Sequence, residues 1–193
     1  MELPCFTDKL NSAINSGCQN QTVGVERDGV IIARSYINAA TMAFASGTVI
    51  VETFARVGAG LGYKVTENSE MPFKATKIEG ERGEYLLKFN STVGFKILGN
   101  SPAKASTVMQ LGNDEYYVIL QNKSYKASEK NKYMLLAPSK GLTTTKAAFS
   151  MENQDGFGWA IEMIEKEALL PVAFIWKTDE ATTDAIITAL YTA

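Results

Sequence analysis

The feature that constrains the fold most is the alternation of apolar and mixed residues in the stretch 83–98. Large apolar side chains occupy nearly every second position there: Tyr85, Leu87, Phe89, Val93, Phe95 and Ile97. Successive side chains of a β-strand point to opposite faces, so a period of two predicts a strand with one apolar face. Asn90-Ser91-Thr92 interrupts the pattern, as a bulge or a turn would, and we expect one long strand with a bulge.

A short helix is predicted directly after this strand. Ser101 is a suitable N-cap, and Pro102 suits the first helical position, where its missing N–H costs nothing. Gly112 stands where a glycine commonly ends a helix. The apolar side of the helix contains Val108, Met109 and Leu111. We expect this side to pack on the sheet.

Two further strands are predicted at 115–122 and 132–138, joined by a loop rich in lysine. The loop lysines are Lys123, Lys126, Lys130 and Lys132. They could contact a polyanion or belong to a solvated hairpin loop. We favour the solvated loop, because Glu129 interrupts the basic run and no aromatic-rich basic surface accompanies it.

The remaining chain is also rich in strand patterns. Asp28-Gly29 between two apolar runs predicts a hairpin turn. Strands are also predicted at 47–58, 72–80, 142–151, 157–167 and 171–176, with 142–151 paired to 157–167. The stretch 38–47 fits helix or strand, and 161–170 could also form a helix. Thr178 is the expected N-cap of a last helix, whose buried side contains Ile186, Ile187, Leu190 and Tyr191. The expected fold is mainly β, a sandwich or barrel with one short flanking helix and a C-terminal helix. We expect one domain over 1–193, with 1–20 as an N-terminal arm.

Composition excludes several kinds of chemistry. The chain of 193 residues contains no histidine, which removes His general bases, Ser–His and Cys–His dyads and most zinc sites. A net charge of −2 gives no electrostatic reason to expect nucleic acid or an anionic membrane as the main partner. Cys5 and Cys18 could form a disulfide, but we favour two reduced thiols.

No stretch has the pattern of an active site. The glycines Gly58, Gly60 and Gly62 follow a strand but lack the spacing of a phosphate-binding loop, and we expect a flexible loop or β-corner. The carboxylates around Arg82 are Glu79, Glu81 and Glu84, and we interpret them as a solvated turn. We expect no catalytic residue, no metal and no cofactor.

The sequence also indicates where the protein is made. Its N-terminus has no basic region followed by a long apolar stretch, so we expect no signal peptide. The longest apolar run, at 169–176, is too short to cross a bilayer. We therefore expect a soluble protein made in a cytoplasm.

The order of elements from 83 to 170 provides a resemblance to a known family. The matching stretches are Phe95 to Leu98, the helix up to Leu111, EYYVILQN, KYMLLAPSKGL, NQDGFGW and EALLPVAFI. This succession resembles the tail tube proteins of bacteriophages. A related ring protein of the neck or tail of such a virion would have a similar pattern.

The resemblance implies a virion structural protein and not an enzyme. Its protomers would join into hexameric rings with a continuous inner barrel, and the rings would stack into a tube through which DNA passes without specific binding. The implied partners are other copies of the chain and other tail or neck proteins, with no membrane. The implied location is the virion tail, after synthesis in the host cytoplasm.

Two other functions compete with this one. A monomeric β-barrel could bind a small apolar ligand through aromatic side chains, although such residues more often form a core. These aromatics are Phe54, Phe89, Phe95, Tyr116, Tyr117, Phe149 and Trp159. An enzyme could combine Asp114 and Glu115 with Glu162 or Glu165, because carboxylates alone suffice for glycoside hydrolysis.

Overall fold

The computed structural model describes residues 24–67, 72–84, 86–151 and 157–192. The strands are β1 (Val25–Ala33), β2 (Ala43–Phe44), β3 (Ile50–Thr53), β4 (Tyr63–Thr66), β5 (Lys77–Arg82), β6 (Leu87–Leu98), β7 (Tyr116–Asn122), β8 (Tyr133–Leu136), β9 (Thr143–Ser150), β10 (Gly158–Ala168) and β11 (Ala173–Ile175). The helices are α1 (Pro102–Gln110) and α2 (Glu180–Ala189). The predicted arm, both cysteines, Tyr85 and the turn at 152–156 lie outside the described residues.

The strands form two sheets, as expected for a mainly β sandwich. The large sheet has seven strands in the order β2-β3-β11-β8-β7-β1-β4, and the small sheet has four in the order β5-β6-β10-β9. Strand neighbours are antiparallel except β3 and β11, which run parallel. The predicted pairing of 142–151 with 157–167 is confirmed, because β9 lies beside β10, and β10 is a strand where a helix was the alternative.

An inner core fills the space between the two sheets. The large sheet contributes Ile31, Val118 and Leu120, and the small sheet contributes Val93, Phe95, Ile161 and Met163. Val108 of helix α1 and its C-cap Leu111 belong to the same cluster, while Met109 is 74% exposed, so its predicted burial is wrong. The Ser101 side chain accepts a hydrogen bond from the Lys104 backbone N–H at 3.3 Å, which confirms the predicted cap.

A second core lies on the other face of the large sheet, beneath α2. It contains Ile32, Val51, Tyr117, Ile119 and Ile175 of the sheet with Ile187 and Leu190 at the end of the chain. Because β7 is buried on both faces, its apolar residues run continuously instead of alternating. The N-cap of α2 is Asp179 and not Thr178: the Asp179 carboxylate accepts from the Thr182 N–H at 2.7 Å.

The long alternating stretch is one strand, as predicted. β6 has 12 residues, and its register with β5 is regular. The interruption of the ladder lies in β10, the other neighbour of β6, where Glu165 faces Ser91 while Ala168 faces Phe89. β10 therefore has one more residue than β6 at this point, which is a bulge, and Glu167 within it has a positive φ of 55°.

The predicted hairpin at Asp28-Gly29 is wrong, because β1 continues through both residues. Its register with β7 shifts between Val25 and Gly29, so the pair forms a bulge and not a turn. A Cβ on Gly29 would lie 2.9 Å from a side-chain carbon of Leu120, and the glycine is needed for this close approach. The Asp28 carboxylate accepts from Thr66 at 2.6 Å and pairs with Lys64.

Candidate functional site

The face of the small sheet that points away from the inner core, here called the outer face, is mixed in character. Its cross-strand rows are Lys96, Ala160 and Ala148, then Gly94, Glu162 and Lys146, then Thr92, Ile164 and Thr143. On β5, Lys77, Glu79 and Glu81 stand opposite Thr92, Asn90 and Lys88. Lysines and glutamates are interspersed, so the charges of this face nearly balance.

The small sheet ends in two edge strands, β5 and β9. All six residues of β5 are exposed, and so are five of the eight residues of β9. Among the described residues, no further strand pairs with either edge. Unpaired edges present rows of N–H and C=O groups that another strand can complete.

Most of the acidic stretch around Arg82, which was expected to form a solvated turn, belongs to strand β5. Glu79 and Glu81 lie on β5, and the turn comes later, where the Gly83 N–H donates to the Leu86 carbonyl at 2.9 Å. Both glutamates are exposed, in agreement with a solvated cluster.

The four carboxylates of the enzyme hypothesis are separated by the fold. Glu162 lies on the outer face of β10, whereas Glu165 is buried on its inner side. Asp114 accepts from the Ser35 hydroxyl at 2.7 Å, and Glu115 pairs with Arg34 at 2.5 Å. The Glu115 charge helps to raise the pKa of Glu165.

Glu165 is the carboxyl group with the most unusual surroundings. The residue is 2% exposed, and burial raises its pKa to about 7. One oxygen accepts from the Lys140 backbone N–H at 2.8 Å, and the charges of Lys140 and Arg34 limit the rise. Its other oxygen has no hydrogen-bond partner. Glu165 is a candidate from the sequence, whereas Arg34 and Lys140 are not, because only long-range folding places them beside it.

Lys132 fits neither interpretation of the lysine-rich loop. It is 6% exposed, and its Nζ atom lies 2.7 Å from carboxylate oxygens of Glu180 and of Asp184 on α2. Burial alone would lower the pKa of Lys132, but hydrogen bonds to these two carboxylates raise it above its ordinary value. Lys126 pairs with Glu129 at 3.0 Å on the exposed loop.

The glycine-rich stretch is a loop, as expected, but it is packed against its neighbours and not flexible. β4 follows it and not a helix, so no helix N-terminus is available for a phosphate. A Cβ on Gly60 would overlap the Tyr36 ring at 2.4 Å. The Gly62 N–H donates to the Leu190 carbonyl at 2.8 Å, which ties the loop to the end of α2.

The aromatic residues of the ligand-binding hypothesis are all buried or half-buried. Phe54 and Tyr117 form an edge-to-face pair in the second core, with ring centroids 5.7 Å apart, and the tilted rings of Phe149 and Trp159 pack with centroids 5.1 Å apart. Phe95 and Tyr116 line a groove of about 730 Å³. The groove lies between β4 and the second half of β6, with α1 beside it; Tyr63, Val65, Ile97 and Leu111 also line it.

Within 24–67, 72–84, 86–151 and 157–192, no three His, Cys, Asp or Glu residues are grouped as metal ligands would be. In the same ranges, neither helix has the length and apolar character needed to cross a membrane.

Comparison with protein-family models, with curated proteins and with solved structures gave no match for this chain.

Proposed function

We propose that this protein is a virion structural protein that assembles into rings of a bacteriophage tail tube. The observation that carries the proposal is the small sheet, whose edges β5 and β9 are both unpaired within the described ranges. A sheet with two exposed edges on opposite sides can continue from copy to copy. Head-to-tail contacts of this kind close into rings when the rotation between copies allows it.

In the proposed ring, β9 of one copy lies beside β5 of the next. Each copy contributes four strands, and the small sheets together close into one barrel. Closure removes every exposed edge, which would be an aggregation hazard in a monomer. Six copies a ring is the number that the family resemblance implies.

The outer face of the small sheet then lines the channel. Its polar and small side chains suit a wet surface, and Lys96 and Lys146 are offset by carboxylates such as Glu162. A nearly balanced charge allows DNA to pass without being held, because phosphate binding depends on a surplus of cations. The large sheet and α2 form the outside of the ring, where other tail or neck proteins would bind.

A ring or connector protein of the virion neck is the nearest alternative. It uses the same edges and differs only in its place in the particle. A different function, the binding of a small apolar ligand by a monomer, is favoured by the groove lined by Phe95 and Tyr116. An apolar compound that copurifies with a strictly monomeric protein would support that function.

The test is negative-stain electron microscopy of the purified chain, with its mass in solution measured by light scattering. We expect rings or tubes for the wild type and monomers for Ala147→Lys. Ala147 lies on β9, and its side chain is on the face that points towards the inner core. Because β9 is an edge strand, Ala147 is nevertheless exposed, so a lysine there can reach solvent in a monomer. A neighbouring strand would cover it, and inward charges on edge strands oppose such pairing.

The matched control is Ala185→Lys, which makes the same substitution on the exposed side of α2. It should assemble like the wild type. If the wild type stays monomeric at all concentrations, self-assembly of the isolated chain is contradicted, and a connector that needs its virion partners or the ligand-binding function gains weight. If Ala147→Lys assembles normally, β9 is not the contact.

A further inference from the structure

Three buried polar atoms without hydrogen-bond partners are grouped at one end of the sandwich. They are the Tyr117 hydroxyl, the Ser139 hydroxyl and the second carboxylate oxygen of Glu165. Tyr117 and Ser139 line the same cavity of about 330 Å³. Glu165 is joined to this cavity through the Lys140 N–H, and its charge influences Tyr117. Buried polar groups normally have partners, so this concentration needs a physical explanation.

The cavity is lined by residues from four parts of the chain. They are Arg34, Ala39, Tyr117, Ser139, Lys140, Glu167 and Leu169. Two cations are therefore present beside two hydroxyl groups. Burial raises the pKa of Tyr117, and the nearby Arg34 guanidinium limits this rise, although no hydrogen bond of good geometry joins the two side chains.

The carboxylates nearest the cavity each have a donor on one oxygen, and only the second oxygen of Glu165, a residue that does not line the cavity, has none among them. The hydroxyl groups of Tyr117 and Ser139, which do line the cavity, have no acceptor. Glu115 pairs with Arg34, Glu167 accepts from Lys88 at 3.0 Å, and Glu165 accepts from the Lys140 N–H. What the cavity lacks is thus an acceptor with several oxygens and a negative charge. We propose that this cavity is a binding site for a small oxyanion, held by the hydroxyl groups of Tyr117 and Ser139 and by the cations of Arg34 and Lys140.

Glu165 couples this site to pH. The charged groups around it are Arg34, Lys140, Glu115 and Glu167, with the Tyr117 phenol as a further titratable group. When the carboxyl group is protonated, the two cations are opposed only by Glu115 and Glu167, and an anion can enter. Ionised Glu165 repels the anion. By linkage, a bound anion must favour protonation of Glu165 to the same extent.

The probe is sulfate, because its charge stays constant near neutral pH. Sulfate is titrated into the full-length protein at constant ionic strength against chloride, and binding is followed by calorimetry and by the Tm. We expect one site in each chain, with an affinity about tenfold higher at about pH 6 than at about pH 8. The double variant Tyr117→Phe/Ser139→Ala should lose at least about tenfold in affinity.

Glu165→Gln supplies the second readout, because glutamine has no charge to lose. It should bind sulfate with an affinity that no longer changes with pH. An equal response of the wild type and the double variant would mean a general salt effect and overturn the site. If the double variant does not fold, the Glu165→Gln comparison decides: a pH dependence identical to the wild type overturns the proposal. The site does not depend on ring assembly, and light scattering in the same buffers separates the two.

Discussion

The Nζ atom of Lys132 lies 2.7 Å from a carboxylate oxygen of Asp184, and this contact joins the start of β8 to α2. Glu180 contacts the same ammonium group, and the Tyr133 hydroxyl donates to Asp184 at 2.9 Å. The cluster fixes α2 over the second core from one side. Exposed ion pairs contribute little to folding stability. This cluster should contribute more, because its cation is buried.

We therefore expect Lys132→Met to destabilise the protein by about 2 kcal/mol. Methionine preserves the length and the apolar stem of the side chain but leaves two neighbouring carboxylates without their cation. The loss stays below that of a fully buried pair, since Glu180 and Asp184 are partly exposed and can turn towards water. Urea unfolding measures the change. Lys177→Met, at an exposed lysine just before α2, should leave stability nearly unchanged.

The cap of α2 gives a second prediction. Asp179→Ala removes the acceptor for the Thr182 N–H and should lower the Tm by about 3 °C. Thr178→Ala, one residue earlier, removes no capping hydrogen bond and should have little effect. A thermal unfolding scan that ranks the two variants the other way would contradict the observed cap and restore the one expected from sequence.

The buried carboxyl group of Glu165 gives a pH dependence of stability. Its pKa in the folded protein is about 7, above the ordinary value of 4.5, so the folded state holds this proton more tightly than the unfolded state does. The contribution to stability is therefore complete below about pH 4.5 and is lost as the pH rises through about 7. The loss is of order 3 kcal/mol, because each pKa unit corresponds to about 1.4 kcal/mol.

Glu165→Gln should remove this pH dependence, and the matched substitution Glu162→Gln on the outer face of the same strand should retain it. The measurement is the free energy of unfolding in urea at about pH 5 and about pH 8 for the three proteins. A wild type whose stability does not fall over this interval would show that Glu165 ionises without cost. The free-energy difference between the two pH values is the quantity to compare, since glutamine also changes the hydrogen bonding at Lys140.

Local pattern was sufficient for the elements whose signals lie within a few residues. The alternation around Phe95, the cap at Ser101 and the apolar run of β7 each predicted an element that the structure contains. The same reasoning failed at Asp28-Gly29, because a glycine needed for close packing against Leu120 has the same sequence signature as a turn glycine. Only the position of a distant strand distinguishes the two.

The surroundings of Lys132 and Glu165 could not be predicted for the same reason. In the sequence, Lys132 cannot be distinguished from the other lysines of its loop. Its burial depends on α2, which begins 48 positions later. Glu165 meets the Lys140 N–H across 25 positions, at a turn whose path is set by the neighbouring sheet. Residue types identified candidates for chemistry, but the partners that change a pKa are brought together by tertiary packing.

The parallel pair of β3 and β11 also determines the order in which the molecule can be completed. β11 occupies an interior position of the large sheet, between β3 and β8, although it is the last of the described strands along the chain. During synthesis, β2 and β3 must therefore wait until β11 has left the ribosome before they can join the sheet. Contacts so distant in sequence slow folding, so the newly made chain passes through a stage in which β2, β3 and β11, three of the seven strands of the large sheet, are still unassembled.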